Sequence, residues 1–168
     1  MANKTNGEYS RAPEFEDLIS LCRSLNEAGV RYVLIGGFAV VLHGYTRATK
    51  DIDLLIDPSQ ENIQRIKKAL SSLPDNAIAL ISDDEVQKYS VVRIADEIIV
   101  DLLAKACGIN YEEASKELEY REIEGVKIPL PRMELLLKMK DTVRPGDKAD
   151  ANFLKALIED GKKKNRKA

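Results

Sequence analysis

Apolar residues change their spacing several times along the chain, and each change marks an element. After Pro13, the residues Phe15, Leu18, Ile19, Cys22 and Leu25 recur at helical intervals, which predicts an amphipathic helix ended at Gly29. Residues 30–35 (VRYVLI) are β-rich and predict a short strand. Gly36-Gly37 form a turn, residues 38–43 read as a brief helix stopped by Gly44, and a polar loop leads into a strand over Ile52–Ile56. Asp57-Pro58 is a helix start signal, and Ile63, Ile66, Ala69 and Leu70 line one face of the helix that follows to Leu73. Residues 78–88 fit either a short strand or a capped helical turn. Two runs flanking Asp96-Glu97 predict a β-hairpin, and two more flanking Glu124-Gly125 predict a second, with a turn of helix near residues 110–116 between them. Pro131 opens a further helix (RMELLLKMK). In the last helix Ala149 or Asp150 shares a face with Phe153, Leu154, Leu157 and Ile158, and Gly161 ends it.

This order implies one domain: an α/β (α+β) fold with a mixed central sheet and flanking helices. The expected boundaries are a flexible leader over 1–12, the domain over 13–161 and a basic tail over 162–168. With 168 residues, 44% of them apolar and 32% charged, the chain can bury a proper core. A net charge of −2 excludes nucleic-acid binding by the molecule as a whole, so any such contact must be local. The two cysteines form no Cys-x-x-Cys or Cys/His cluster, which argues against zinc and for a reducing cytoplasm. The polar N-terminal stretch and the absence of a long apolar run argue against a membrane location.

The candidate chemistry is concentrated in residues 33–57, VLIGGFAVVLHGYTRATKDIDLLID. Asp51 and Asp53, two apart at a strand, share one face. Two carboxylates that close repel unless a cation joins them, and hard oxygen donors suit magnesium, which is usually held by one or two carboxylates plus a substrate's phosphates. A glycine pair at a strand-to-helix turn offers close backbone approach to phosphate. A third acid, Asp101, stands inside the apolar run IIVDLL, where a charge needs compensation. It is either a further metal ligand or the partner of Arg93 on the opposite hairpin strand. Asp83, Asp84, Asp96 and Glu97 fall in loops or turns and are poorer candidates.

The glycine pair, thirteen intervening residues, DIDLLID and the later strand aspartate together resemble the nucleotidyltransferase superfamily of DNA polymerase beta. HGYTRATKDIDLLID with the late LLLKMK and RPGDKADANFL is similar to small bacterial and archaeal nucleotidyltransferases, including relatives of abortive-infection toxins and minimal antitoxin enzymes. The resemblance implies that Gly36 and Gly37 line the triphosphate. It also implies that Asp51, Asp53 and Asp101 hold Mg2+, with two ions expected and Mn2+ as a substitute. Many members carry serine where Gly37 stands, so one hydroxyl contact to phosphate is missing here. The implied substrate is an NTP, with ATP as first choice. The acceptor is a protein, an RNA or a small molecule, in a toxin–antitoxin setting with a helical partner protein, or else the fold serves as a non-catalytic binding module. Arg47, in the loop before the Asp pair, is a phosphate-binding candidate, its alternative being a solvated loop arginine. Lys138 is favoured over Lys140 to face the cleft, and Lys148 resembles a lysine in a late family motif. His43 reads as a capping or core group, Thr49 as a loop brace, Asp147 as a helix cap, and Tyr45 as a packing or base-stacking residue.

Overall fold

The computed structural model describes residues 9–167, so most of the expected leader and the last tail residue lie outside the described residues. Helix α1 (Phe15–Glu27) buries Leu18, Ile19, Leu21, Cys22 and Leu25, while Phe15 at its start stays exposed. Gly29 follows it at φ +69°, a left-handed conformation that suits glycine. Strand β1 (Tyr32–Ile35) runs directly into α2 (Gly36–Leu42). Strand β2 (Ile52–Ile56) has the expected bounds, and α3 (Gln60–Leu70) is capped by the Ser59 hydroxyl, which accepts from the Asn62 amide. The ambiguous region is helical: a 3-10 turn (Ala77–Leu80) and then α4 (Glu85–Lys88).

The first predicted hairpin is β3 (Val92–Ala95) with β4 (Ile99–Leu103). A four-stranded sheet results, in the order β1-β2-β4-β3. Strands β1 and β2 are antiparallel, β2 and β4 parallel, and β3 and β4 antiparallel, so the sheet is mixed. A small ladder not foreseen from the sequence, β5 (Lys105–Ala106) with β6 (Ile109–Asn110), precedes α5 (Tyr111–Ala114). The second hairpin pairs β7 (Leu118–Ile123) with β8 (Val126–Pro131) across Glu124 and Gly125, both at positive φ, as a tight hairpin turn requires. Helices α6 (Met133–Met139) and α7 (Pro145–Lys167) pack together.

Several expected boundaries move, among them the end of α3, at Leu70 rather than Leu73, and the start of α2, at Gly36 rather than Phe38. Pro131 closes β8 rather than opening α6, since a proline at a strand end loses no needed ladder bond. Gly161 does not end α7, which continues through it into the basic segment. A glycine costs a helix about 1 kcal/mol relative to alanine, but it terminates one only when it turns left-handed, and Gly161 is not among the positive-φ glycines.

Strand alternation sets the core. Ile52, Leu54, Ile56, Val100 and Leu102 are all buried and belong to one cluster with the α1 and α3 stripes. Buried polar groups fasten the ends of the sheet. Asn62 of α3 accepts from the Arg31 amide at 2.8 Å and donates to the carbonyls of Arg31 at 3.0 Å and Asp57 at 2.7 Å, tying the entry to β1 to the exit of β2. Asp96, completely buried in the β3–β4 turn, accepts from the amides of Asp75, Ala77 and Glu97 at 2.8–2.9 Å. Its carbonyl receives the Ser10 hydroxyl at 2.6 Å, and the Arg11 amide donates to Glu97 O at 2.9 Å, so the chain ahead of α1 is pinned to the same turn. Replacing Asp96 by alanine strands three amide donors and should cost about 2–3 kcal/mol in denaturant unfolding.

Candidate active site

The sheet register places four residues in one row. Ile35 of β1 stands opposite Asp53 of β2, Asp53 opposite Asp101 of β4, and Asp101 opposite Arg93 of β3. Directly paired residues project to the same face, and so do residues two apart. Asp51 therefore joins Asp53 and Asp101, and each of the three offers a carboxylate oxygen within 4.8 Å of the others. Arg93 completes the row. Its Nε donates to Asp101 Oδ1 at 2.9 Å, and its Nη2 donates to Asp101 Oδ2 at 2.8 Å and to Asp51 Oδ2 at 3.3 Å. Asp101 thus pairs with Arg93 and also converges with the other acids on the same face.

These groups form one wall of a cleft of about 790 Å³, which also exposes Gly36, Gly37, Arg47, Lys140 and Asp147. The glycine pair is dictated by space. A Cβ on Gly36, already at φ +70°, would lie 2.0 Å from Asp53 Oδ2. One on Gly37 would lie 2.8 Å from Thr49 Oγ1 and 2.9 Å from Arg47 Nη2. The backbone consequently passes against the acidic row with nothing between them. Thr49 braces the loop as expected, its hydroxyl donating to Asp51 O at 3.1 Å.

Helices α6 and α7 supply the opposite wall. Lys140 is buried, with Nζ 2.9 Å from Asp150 Oδ2 and 3.3 Å from Asp147 Oδ1. Arg47 lies along the same Asp150: Nη2 donates to Oδ2 at 3.0 Å, and Nε is 3.0 Å from Oδ1. Asp150 is fully buried, so α7 holds both cations at the cleft from behind. Lys138, the lysine favoured from sequence, is exposed and does not line the cleft; Lys140 does. Helix geometry explains the difference, because Lys140 falls four residues after the buried Leu136, whereas Lys138 falls four after the exposed Glu134. That spacing was the available signal. Asp147 does not cap α7 as expected but is its third residue; it accepts from Thr142 Oγ1 at 2.6 Å and lines the cleft. Lys148 is exposed outside the cleft. His43 is buried away from it, with Nε2–H donating to Pro131 O at 2.9 Å, and Tyr45 stacks on Phe153 with ring centroids 4.6 Å apart.

Over residues 14–167 the chain matches the family described as "Nucleotidyl transferase of unknown function (DUF2204)". It belongs to that family. No curated protein matches it significantly. Among solved structures it resembles one from Thermotoga maritima, described as that of a candidate nucleotidyltransferase, with a TM-score of 0.52 and 18% sequence identity. The superposition covers 92% of this chain and 99% of that one, and at this identity it speaks for the fold alone.

The electrostatics of this nucleotidyltransferase-family site are dominated by Asp53. Burial first, then the Asp51 and Asp101 carboxylates, push its pKa up to about 7, against a smaller pull from Lys140. The Arg93 pKa is raised as well, further above its already high value, chiefly by its hydrogen bonds to Asp101. A carboxyl whose folded pKa exceeds its unfolded value binds more protons when folded, so ion-free stability falls as pH rises from about 4 through about 7. Carboxyls held low, such as Asp17 hydrogen-bonded by Arg11, change stability only below about pH 4. In chelator, the wild type should therefore lose stability between about pH 5 and pH 8, and Asp53→Asn should flatten that slope in denaturant titrations at the two pH values. An unchanged slope in the variant assigns the titration elsewhere.

Proposed function

We propose that the protein transfers a nucleotidyl group from an NTP, ATP being the first to test, to a hydroxyl acceptor. The observation that carries this reading is the convergence of Asp51, Asp53 and Asp101 beside the Gly36-Gly37 turn, in a cleft that Arg47 and Lys140 also line. An all-oxygen set of three closely spaced carboxylates fits a hard divalent cation such as Mg2+ or Mn2+, and their number suits two ions. When bound, the metal neutralises phosphate charge and polarises the reacting phosphoryl group.

The chain's own groups do the rest. Gly36 and Gly37 admit the triphosphate against the acidic row, and Arg47 and Lys140, held by Asp150, face its oxygens. Asp101 takes the proton of the acceptor hydroxyl. The acceptor oxygen bonds to the α-phosphorus as the bond to the pyrophosphate oxygen breaks, and pyrophosphate leaves. The acceptor is a protein, an RNA or a small molecule. A toxin–antitoxin setting with a helical partner rests on the sequence resemblance alone, and a cytoplasmic setting on the two unpaired cysteines. Among the described residues, no helix is long and apolar enough to cross a membrane.

A second reading has one specific footing. Arg93 compensates the acids from within, as a nucleotide-binding module without chemistry would need. Incubation with Mg2+, each α-labelled NTP and candidate acceptors separates the two. Nucleotidyl transfer predicts acceptor labelling and pyrophosphate release by the wild type, with Asp53→Ala slowed by about a thousandfold or more. Tight NTP binding with no labelled product for any acceptor selects the binding module.

A further inference from the structure

Asp101 and Asp51 already hold a cation. Asp101 is only 4% exposed, and a carboxylate buried that far cannot stay charged without a partner except at high cost. The Arg93 guanidinium is that partner, with three donor contacts spanning the two acids. Arg93 stands on the edge strand β3, and its side chain is 46% exposed. The ion pair is buried at its acidic end and open at its basic end, so the guanidinium can leave without disturbing the core.

A divalent ion held by Asp51, Asp53 and Asp101 uses the oxygens that Arg93 now occupies. Carboxylates have lone pairs to spare, but two cations on the same oxygens repel at contact distance. We propose that Arg93 is a resident counter-cation that keeps the metal site closed until nucleotide arrives, and that it then passes to the nucleotide's phosphates. This rests on the nucleotidyl-transfer reading. Metal arriving alone must displace the guanidinium into solvent. Metal arriving with a nucleotide brings phosphate oxygens into the cleft whose rim Arg93 lines, and a planar guanidinium fork suits them. Metal and nucleotide binding are then coupled through one side chain, and the coupling is reciprocal. The acidic row remains compensated in both states: by Arg93 before loading, by the metal afterwards.

The test is a Mn2+ titration of wild type and Arg93→Gln, followed by the electron paramagnetic resonance of free Mn2+. It is run first with metal alone and then with an ATP analogue blocked at the α–β bridge. Mn2+ alone should bind Arg93→Gln about tenfold tighter than the wild type, because a fixed like charge at contact distance has been removed. The factor by which the analogue tightens Mn2+ binding should shrink by about tenfold in the same variant. Arg93→Lys, which keeps the charge but loses the fork, should fall between in both measurements. Thermal unfolding reads the same exchange: without metal Arg93→Gln melts below the wild type, and Mn2+ raises its midpoint by more. If folded Arg93→Gln binds Mn2+ no tighter than a wild type that does bind Mn2+ with the analogue, the role of Arg93 is overturned and nucleotidyl transfer stands. If the wild type binds no Mn2+ even with the analogue, both readings fall. Should the glutamine variant not fold, unchanged Mn2+ affinity and coupling in Arg93→Lys overturn the proposal.

Discussion

Three carboxylates brought within 4.8 Å of one another in a single sheet face are a constraint that the surrounding structure has to satisfy. Burial and the charges of Asp51 and Asp101 push the Asp53 pKa up to about 7. Each neighbouring feature answers that constraint. Arg93 sits across two of the acids, Lys140 approaches from α6, and Gly36 leaves the space that any side chain would take from Asp53. A sheet is a good frame for such a cluster, because register alone fixes the spacing: Asp53, Asp101 and Arg93 are adjacent rungs of one row.

The second layer works behind the first. Asp150 is completely buried in α7 and holds both Arg47 and Lys140, from the loop before β2 and the end of α6. Two cations that would otherwise wander are aimed into the cleft by one buried anion, which ties α7 to the site. Beyond Asp150, α7 runs on into the basic residues up to Lys167.

Much of this was legible in the sequence because it depends on period-two alternation and local turns. Asp51-x-Asp53 must share a face in any strand, and Ile52–Ile56 was bounded correctly because its apolar run ends in loop and helix-start signals. Gly36-Gly37 reads as a phosphate turn from sequence, and the structure adds a steric reason: the nearness of Asp53. What sequence alone left open were tertiary choices. Arg93 and a metal are rivals for Asp101 in the sequence, and only the register shows Arg93 and the acids on one face. The family resemblance favours Lys138 over Lys140, while the packing of α6 through Leu136 turns Lys140 inward. The burial of Asp96 and Asp150 follows from contacts with segments far away in the chain, which no local pattern reports.

Asp51, Asp53 and Asp101 are proposed here as one metal–nucleotide site. Anomalous diffraction from crystals soaked with Mn2+ and an ATP analogue blocked at the α–β bridge tests it most directly. Anomalous density is expected among the three carboxylates, with the phosphates against Gly36-Gly37 and Arg93 drawn off Asp101. Manganese found elsewhere, or nucleotide bound while Arg93 still bridges Asp51 and Asp101 with no metal beside them, would contradict it.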